Sequence, residues 1–214
     1  MTGALQYVKL ALMVLFNPID FLDVMKRDRA GDKKGKILAV VVLHALAFLA
    51  NYSYVFIVSF PLSSKEPSSA NYVLELCIIT VPLLTWVIAA YAMSSILSGE
   101  SKLIEILTTA SYALVPFILF TPCLALASHV FSGAEQGIYQ ALRGLVLVWV
   151  LVLLLAGLSR LNDYSAGKTI VVTALSIIAM VIIWAIALLL FSLTIQLFSF
   201  FGGFLKEINL KYFY

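Results

Sequence analysis

Few residues in this sequence are capable of chemistry, and they lie within long apolar stretches. His44 and Asn51 are about two helical turns apart, so a helix places both on nearly the same face. Polar side chains are costly to bury in an apolar environment and are usually retained for a reason, which makes this pair a candidate intramembrane polar site. The alternative, more common for a lone histidine, is a packed side chain bonded to a neighbouring helix.

No other reactive residues form a known catalytic or metal-binding pattern. The sequence has no His-Glu-x-x-His and no Gly-x-Ser-x-Gly motif. Cys77 and Cys123 stand alone in apolar stretches, where cysteine usually acts as a small hydrophobic residue. Gly167-Lys168-Thr169 resembles the end of a phosphate-binding loop, but Asn162 stands where that motif requires glycine. We therefore predict no catalytic residue, no metal site, no cofactor and no enzymatic activity.

The composition indicates a membrane protein. The chain has 214 residues, of which 63% are hydrophobic and 12% charged, and its mean hydropathy is +1.05. Soluble domains are about half apolar and about a quarter charged. A single soluble core of this size cannot bury that much apolar surface, which excludes a soluble enzyme. The net charge of only +3 excludes a nucleic-acid binder. Because of the apolar excess, the expected surroundings of the chain are a lipid bilayer.

Five apolar stretches are long enough to cross the hydrocarbon core, which requires about 20 helical residues. These stretches are Ile37–Phe60, Leu76–Leu97, Ile106–Phe131, Ile138–Ser159 and Thr169–Phe201. Lipid cannot satisfy open backbone groups, so the spans must be helices. The expected fold is all-α: a polytopic bundle of five transmembrane helices (residues 37–201), with an N-terminal interfacial amphipathic segment (residues 1–36) and a short C-terminal tail (residues 202–214).

The N-terminal segment is expected to lie on the membrane. Leu10–Phe16 is apolar but too short to span, and no small-residue cleavage site follows it, so no cleaved signal is expected. Asn17 is a suitable cap for a second short helix with Pro18 at its first position. This segment serves either to anchor the first span or to contact a protein partner or anionic lipid. The candidate contact residues are Ile19, Leu22, Met25, Lys33, Lys34 and Lys36.

Basic residues predict the orientation, because they are enriched on the cytoplasmic side. Ten lie on the side of the N-terminus: Lys9, Lys26, Arg27, Arg29, Lys33, Lys34, Lys36, Lys102, Arg160 and Lys168. Four lie on the other side: Lys65, Arg143, Lys206 and Lys211. We expect a cytoplasmic N-terminus and an outside C-terminus.

The second span carries a predicted surface for helix packing. Ala90, Ser94 and Ser98 recur every fourth residue and form a groove of small residues, which allows close helix contact in lipid. Three prolines are expected to kink their helices: Pro82, Pro116 and Pro122. Kinked helices either shape a compact bundle or line a pathway. The second possibility makes a small solute or lipid channel, passing His44 and Asn51, the alternative function.

Several segments together resemble the Yip domain family, which is named for interaction with Ypt/Rab small GTPases. They are Asn17-Pro18 with Phe21, Gly99-Glu100-Ser101-Lys102-Leu103, Tyr112-Ala113-Leu114-Val115-Pro116, Gly157-Leu158-Ser159-Arg160 and Tyr164-Ser165-Ala166-Gly167-Lys168. The resemblance covers about Asn17 to Phe201. It implies five spans, a cytoplasmic N-terminus and partner-dependent work without catalytic residues.

The chain lacks the long polar N-terminal region of eukaryotic members and is more similar to the compact prokaryotic type. That similarity implies a prokaryotic plasma membrane and makes a Rab partner unsuitable. The function expected from these observations is a membrane adaptor or accessory subunit that binds another membrane protein. A multi-subunit transporter is one hypothesis for that partner.

Overall fold

The computed structural model describes residues 2–27, 33–59, 62 and 71–212, with side chains from residue 9 to residue 203 of these ranges. Of the described residues, 89% are helical and none lies in a strand. The helices are α1 (Thr2–Phe16), α2 (Pro18–Arg27), α3 (Lys33–Ile57), α4 (Tyr72–Ile96), α5 (Leu103–Tyr112), α6 (Val115–Ala127), α7 (Gln136–Asn162) and α8 (Ala166–Tyr212). A short 3-10 turn, Gly133–Glu135, precedes α7.

The predicted all-α membrane architecture is confirmed. Five helical segments of the described chain are long and apolar enough to cross a bilayer. They are Lys33–Ile57, Tyr72–Ile96, Leu103–Ala127, Gly133–Asn162 and Ala166–Gly203. The predicted end of the first span, Phe60, lies outside the described residues, as do Arg29 and Lys65 of the orientation argument.

The third span consists of two helices, where the sequence predicted one continuous stretch, Ile106–Phe131. Helix α5 ends at Tyr112 and α6 begins at Val115. Pro116 accounts for the break, because it has no N–H to donate to the carbonyl of Tyr112 and its ring crowds the preceding turn. Helix α4 continues through Pro82 and α6 through Pro122, so only Pro116 coincides with a break.

The broken third span is the most buried of the five, with 61% of its most apolar window buried. Helices α5 and α6 both pack against α3 and against α7, and α4 packs against α5 and α3. With α1 and α2 included, the two half-helices contact five other helices, which places the third span at the centre of the packed helices. Two of its hydroxyls bond to their own helix: Thr108 Oγ1 donates to the carbonyl of Ile104 at 2.6 Å, and Ser111 Oγ donates to the carbonyl of Leu107 at 2.7 Å.

The two N-terminal helices belong to the same core as the spans. Helix α2 packs against α7, α1 and α5, and α1 also contacts α6. The shared core of buried residues is Leu10, Val14, Phe21, Leu22, Met25, Ala39, Leu43, Tyr112, Ala113, Val115 and Leu153. The segment that the sequence predicted as interfacial is therefore packed by its apolar side chains onto protein.

The chain divides into two compact units, Met1–Ser176 and Ile177–Tyr214. The first unit contains α1 to α7 and the start of α8. The second consists of the rest of α8, which continues past the predicted limit of Phe201 to Tyr212. Every described side chain from residue 184 to residue 203 is exposed.

Candidate functional site

Two loops that carry the family resemblance meet at one end of the first unit, and Tyr112–Pro116 lies deeper, at the break in the third span. We call this the Asp163 end, because it includes the loop between α7 and α8 at Asp163. The loop between α4 and α5, residues 97–102, lies against it. A backbone hydrogen bond shapes the loop between α4 and α5: the N–H of Gly99 donates to the carbonyl of Ser94 at 2.7 Å, the bond that closes a Schellman motif.

Gly99 permits the close approach of the two loops. A Cβ atom at this position would lie 2.5 Å from Tyr164 Oη, 2.6 Å from Asn162 Oδ1 and 2.8 Å from the carbonyl oxygen of Ser94. Contacts below 3.0 Å force a shift, and one of these three is with backbone. Any side chain larger than hydrogen at residue 99 therefore separates the loops or bends the end of α4.

Hydrogen bonds then join the loops. Asn162 Oδ1 accepts from the N–H of Ser101 at 3.0 Å, and Tyr164 Oη donates to the carbonyl of Ser94 at 3.2 Å. Asn162, Ser101 and Tyr164 are all buried. Burial raises the pKa of the Tyr164 phenol above its ordinary value. Asp163 adopts a left-handed conformation with φ 52°, which lets α7 stop sharply before Tyr164.

Helix α2 is fixed to the same end by aromatic, apolar and charged contacts. The rings of Phe21 and Tyr112 lie 5.1 Å apart, centroid to centroid. Gly157 lets α7 approach α5 and α2, because a Cβ there would lie 2.7 Å from Thr109 Cγ2 and 3.7 Å from Leu22 Cδ2. Lys26 forms an ion pair with the exposed Asp163. The motif residues thus hold α2 against the bundle.

The predicted contact face of α2 is divided by the structure. Ile19 is 56% exposed, whereas Leu22 and Met25 are buried against the chain's own core. The reason is geometric: each three-residue step rotates about 60° short of a full turn, so Ile19 and Met25 are about 120° apart. Phe21, rather than Ile19, completes the buried face.

The predicted basic contacts are also divided. Lys33 and Lys34 are exposed at the start of α3, where a partner or lipid has access to them. Lys36 is 7% exposed and therefore belongs to the interior of the packed helices. Position along the chain could not distinguish these three lysines, because the burial of Lys36 depends on helices that come later in the sequence.

The predicted small-residue groove of α4 is shorter than expected. Ala90 and Ser94 are fully buried and lie in the helix. Ser98 lies beyond the helix end at Ile96, is exposed, and has a positive φ of 58°. The every-fourth-residue spacing could not reveal that α4 ends before Ser98. Ser98 adopts the left-handed conformation that is common just after a helix end.

The other end of the first unit carries the predicted polar residues of α3. We call it the Arg143 end. Asn51 Nδ2 donates to Glu75 Oε2 at 2.7 Å, and both residues are buried. Glu75 lies in the first turn of α4, where the positive end of the helix dipole favours a carboxylate. The sequence signal for this pair was a polar residue near the end of α3 and another near the start of α4, because consecutive antiparallel helices bring these ends together.

His44 does not join this pair through any hydrogen bond that the described residues make. Its Nδ1 lies 2.9 Å from the carbonyl of Val40 in the same helix, so Nδ1 carries the proton that this bond requires. Its Nε2 is buried without a hydrogen-bond partner among the described residues. The structure therefore gives His44 and Asn51 separate environments.

An aromatic and cationic cluster at the Arg143 end was missed by the sequence reasoning. Tyr139 Oη donates to Tyr54 Oη at 3.2 Å, and the Arg143 guanidinium lies 4.5 Å from the centroid of the Tyr54 ring. Tyr139 and Arg143 are four residues apart on α7, which was the available signal. Backbone-directed bonds close the same end: Ser59 N–H donates to Ser128 Oγ at 2.8 Å.

Comparison with known families bears out the resemblance that these motifs carry. The sequence matches the Yip1 domain over residues 12–189, well over half of the chain. No curated protein and no solved structure matches the chain in the corresponding comparisons. Because the match runs from α1 into α8 and includes both loops of the Asp163 end, this five-span membrane protein belongs to the Yip1 domain family.

Proposed function

We propose that this protein is a non-enzymatic membrane adaptor, an accessory subunit that binds another membrane protein. The observation that carries the proposal is the second unit of the chain. From Trp184 to Gly203 every side chain of α8 is exposed, although this is the most apolar of the five spans, with a mean hydropathy of 2.9 in its best window. A single helix cannot bury its own side chains, so this apolar surface is available to another occupant.

The length of α8 supports a protein occupant in addition to lipid. Its apolar part, Ala166–Gly203, has 38 residues and is about 57 Å long at 1.5 Å per residue. The hydrocarbon core is about 30 Å thick, and a tilt of 40°, the upper end of the usual range, accommodates only about 39 Å. The remaining apolar helix stands outside hydrocarbon, where a protein partner is needed to cover it.

One face of α8 has the residues that helices use to contact each other in lipid. Ser192, Gln196, Ser199 and Gly203 fall within about 60° around the helix axis. Small residues allow backbones to approach, and an amide adds hydrogen bonds across the interface. Thr194 lies on the opposite face, and its hydroxyl donates to the carbonyl of Leu190 in its own helix at 2.8 Å.

The Asp163 end provides a second contact for the same partner or for anionic lipid. Ile19, Lys33 and Lys34 are exposed there, on helices that the motif residues hold in place. In the orientation that the basic residues favour, this end and the N-terminus face the cytoplasm. A prokaryotic plasma membrane and a multi-subunit transporter as the partner are the finer parts of the proposal, and they rest on the resemblance alone.

The test is co-isolation from the native membrane in mild detergent, with a tag on the chain. We expect a stoichiometric membrane-protein partner, reduced severalfold by Gln196→Leu or Gly203→Leu and retained by Thr194→Leu. Thr194→Leu is the matched control, because it makes a polar-to-leucine change on the opposite face of the same helix segment. A solitary monomer, or equal loss with all three variants, would contradict the proposal.

The alternative function, a small solute or lipid carrier, has less support from the geometry. It depends on a pathway past His44 and Asn51, and both side chains bond to residues of the chain itself. Neither residue lines the two shallow grooves described in the first unit, one beside Arg143 and one beside Trp86.

A further inference from the structure

A groove at the Arg143 end combines one cationic side chain with an apolar wall. It is a shallow groove between α3, α6 and α7 that is open to the surroundings. Tyr54, Thr121 and Arg143 are the polar residues that line it, and Phe117, Val146 and Leu147 are among the apolar ones. This composition suits an amphiphile with an anionic head.

Arg143 has unsatisfied capacity for an anion. Its guanidinium carries five N–H donors, yet its only described polar contact is Nη1 to Tyr54 Oη at a long 3.5 Å, beside the stacking contact with the Tyr54 ring. Within the described residues no carboxylate lies within the 4.0 Å of an ion pair with Arg143. Among the described residues no carboxylate neutralises this half-buried guanidinium, so its donors are open to an anion from outside the chain.

The depth of the groove matches the upper part of a lipid. Tyr54 lies three residues before the end of α3, so the guanidinium above its ring is about 4.5 Å from that helix end. Phe117 lies ten residues before the end of α6 at the same side, about 15 Å deep. The groove therefore extends about 10 Å from the level of headgroups toward the membrane centre.

We propose that this groove binds one phospholipid, with its phosphodiester against Arg143 and an acyl chain along Phe117, Val146 and Leu147. The planar guanidinium fork matches phosphate oxygens, and its stacking on Tyr54 fixes the orientation of the fork. The lipid comes from the leaflet at the Arg143 end, which is the outer leaflet in the favoured orientation. The proposal is independent of α8 and of any protein partner.

Three probes distinguish a lipid from a free anion. The full chain in detergent is titrated with dioleoyl phosphatidylglycerol, with dioleoylglycerol, which has the same acyl chains without phosphate, and with inorganic phosphate. Native mass spectrometry then counts bound molecules. We expect one tightly bound phosphatidylglycerol per chain whose binding depends on Arg143, and at least tenfold weaker binding of the other two probes. If inorganic phosphate binds as well as the lipid, or dioleoylglycerol does, the proposal is overturned.

Variants assign the binding to the groove. Arg143→Gln should weaken phosphatidylglycerol binding about tenfold to a hundredfold, the effect of losing charge-assisted hydrogen bonds. Arg160→Gln, an exposed arginine at the other end of α7, is the control with the same charge change and should leave binding unchanged. Val146→Trp fills the groove while keeping Arg143 and should also reduce binding at least tenfold. Equal binding by wild type, Arg143→Gln and Val146→Trp would overturn the proposal.

Discussion

Gly99→Ala should destabilise the protein far more than a single methyl group suggests. The added Cβ would lie 2.5 Å from Tyr164 Oη, 2.6 Å from Asn162 Oδ1 and 2.8 Å from the Ser94 carbonyl. Overpacking of this kind costs about 1–3 kcal/mol. The displaced oxygens also take part in two hydrogen bonds, from Tyr164 to Ser94 and from Ser101 to Asn162, each contributing about 1 kcal/mol. We expect a total loss of about 2–4 kcal/mol.

The assay is the free energy of unfolding in mixed micelles, obtained by titrating the detergent-solubilised chain with sodium dodecyl sulfate and following circular dichroism. Gly144→Ala is the matched control, because no atom lies within 4 Å of a Cβ at Gly144. In the middle of α7 alanine should stabilise by about 0.5–1 kcal/mol. A Gly99→Ala chain within about 0.5 kcal/mol of wild type would refute the account of loop packing at the Asp163 end.

Three further predictions concern the polar pair, the buried phenol and the topology. Asn51→Leu removes the hydrogen bond to the buried Glu75 carboxylate and should lower the unfolding free energy by about 1.5–3 kcal/mol in the same titration; no change would show that the pair is not formed. Burial raises the pKa of the Tyr164 phenol, so the folded state holds this proton more tightly than the unfolded state does. The stability that the neutral phenol contributes is complete below about pH 10 and falls as the pH rises further. Between pH 10 and 11 the Tyr164→Phe variant should therefore lose less unfolding free energy than wild type. Reporter fusions should place the two termini on opposite sides of the membrane, and a common compartment would rule out an odd number of crossings.

Composition and hydropathy were sufficient to predict the five spans, because lipid imposes a length and an apolar character that each span must have on its own. Most span ends were predicted within a few residues for the same reason, but α8 continues past the predicted Phe201 to Tyr212. Pro116 was recognised as a kink, but periodicity alone does not tell a kink from a break. At Pro116 the helix breaks fully at Ala113 and Leu114, and the two halves share α3 and α7 as neighbours while α5 also contacts α4 and α2 and α6 contacts α1.

The sites were harder to predict, because they depend on contacts between distant segments. Leu22 and Met25 were recognised as apolar. That they are buried depends on packing against residues much later in the chain, such as Tyr112 and Gly157. Ser94 was predicted as part of a small-residue groove, whereas the role of its carbonyl as acceptor for the Tyr164 hydroxyl requires the loop after α7.

The charge clusters were missed for the same reason. The Arg143 cluster and the Asn51–Glu75 bond each join two helices whose relative rotation the sequence does not specify. Hydropathy identifies what must enter the membrane, and the pairing of polar groups inside it follows only once the helices are packed.

Site-specific photo-crosslinking along α8 in native membranes tests the adaptor function most directly. A photoreactive side chain would replace Gln196 or Ser199 on the face with small residues, and Thr194 on the opposite face. The account predicts one discrete protein adduct of the same mass from residues 196 and 199, and none from residue 194. Adducts with lipid alone at all three positions, or the same protein adduct from all three, would contradict it.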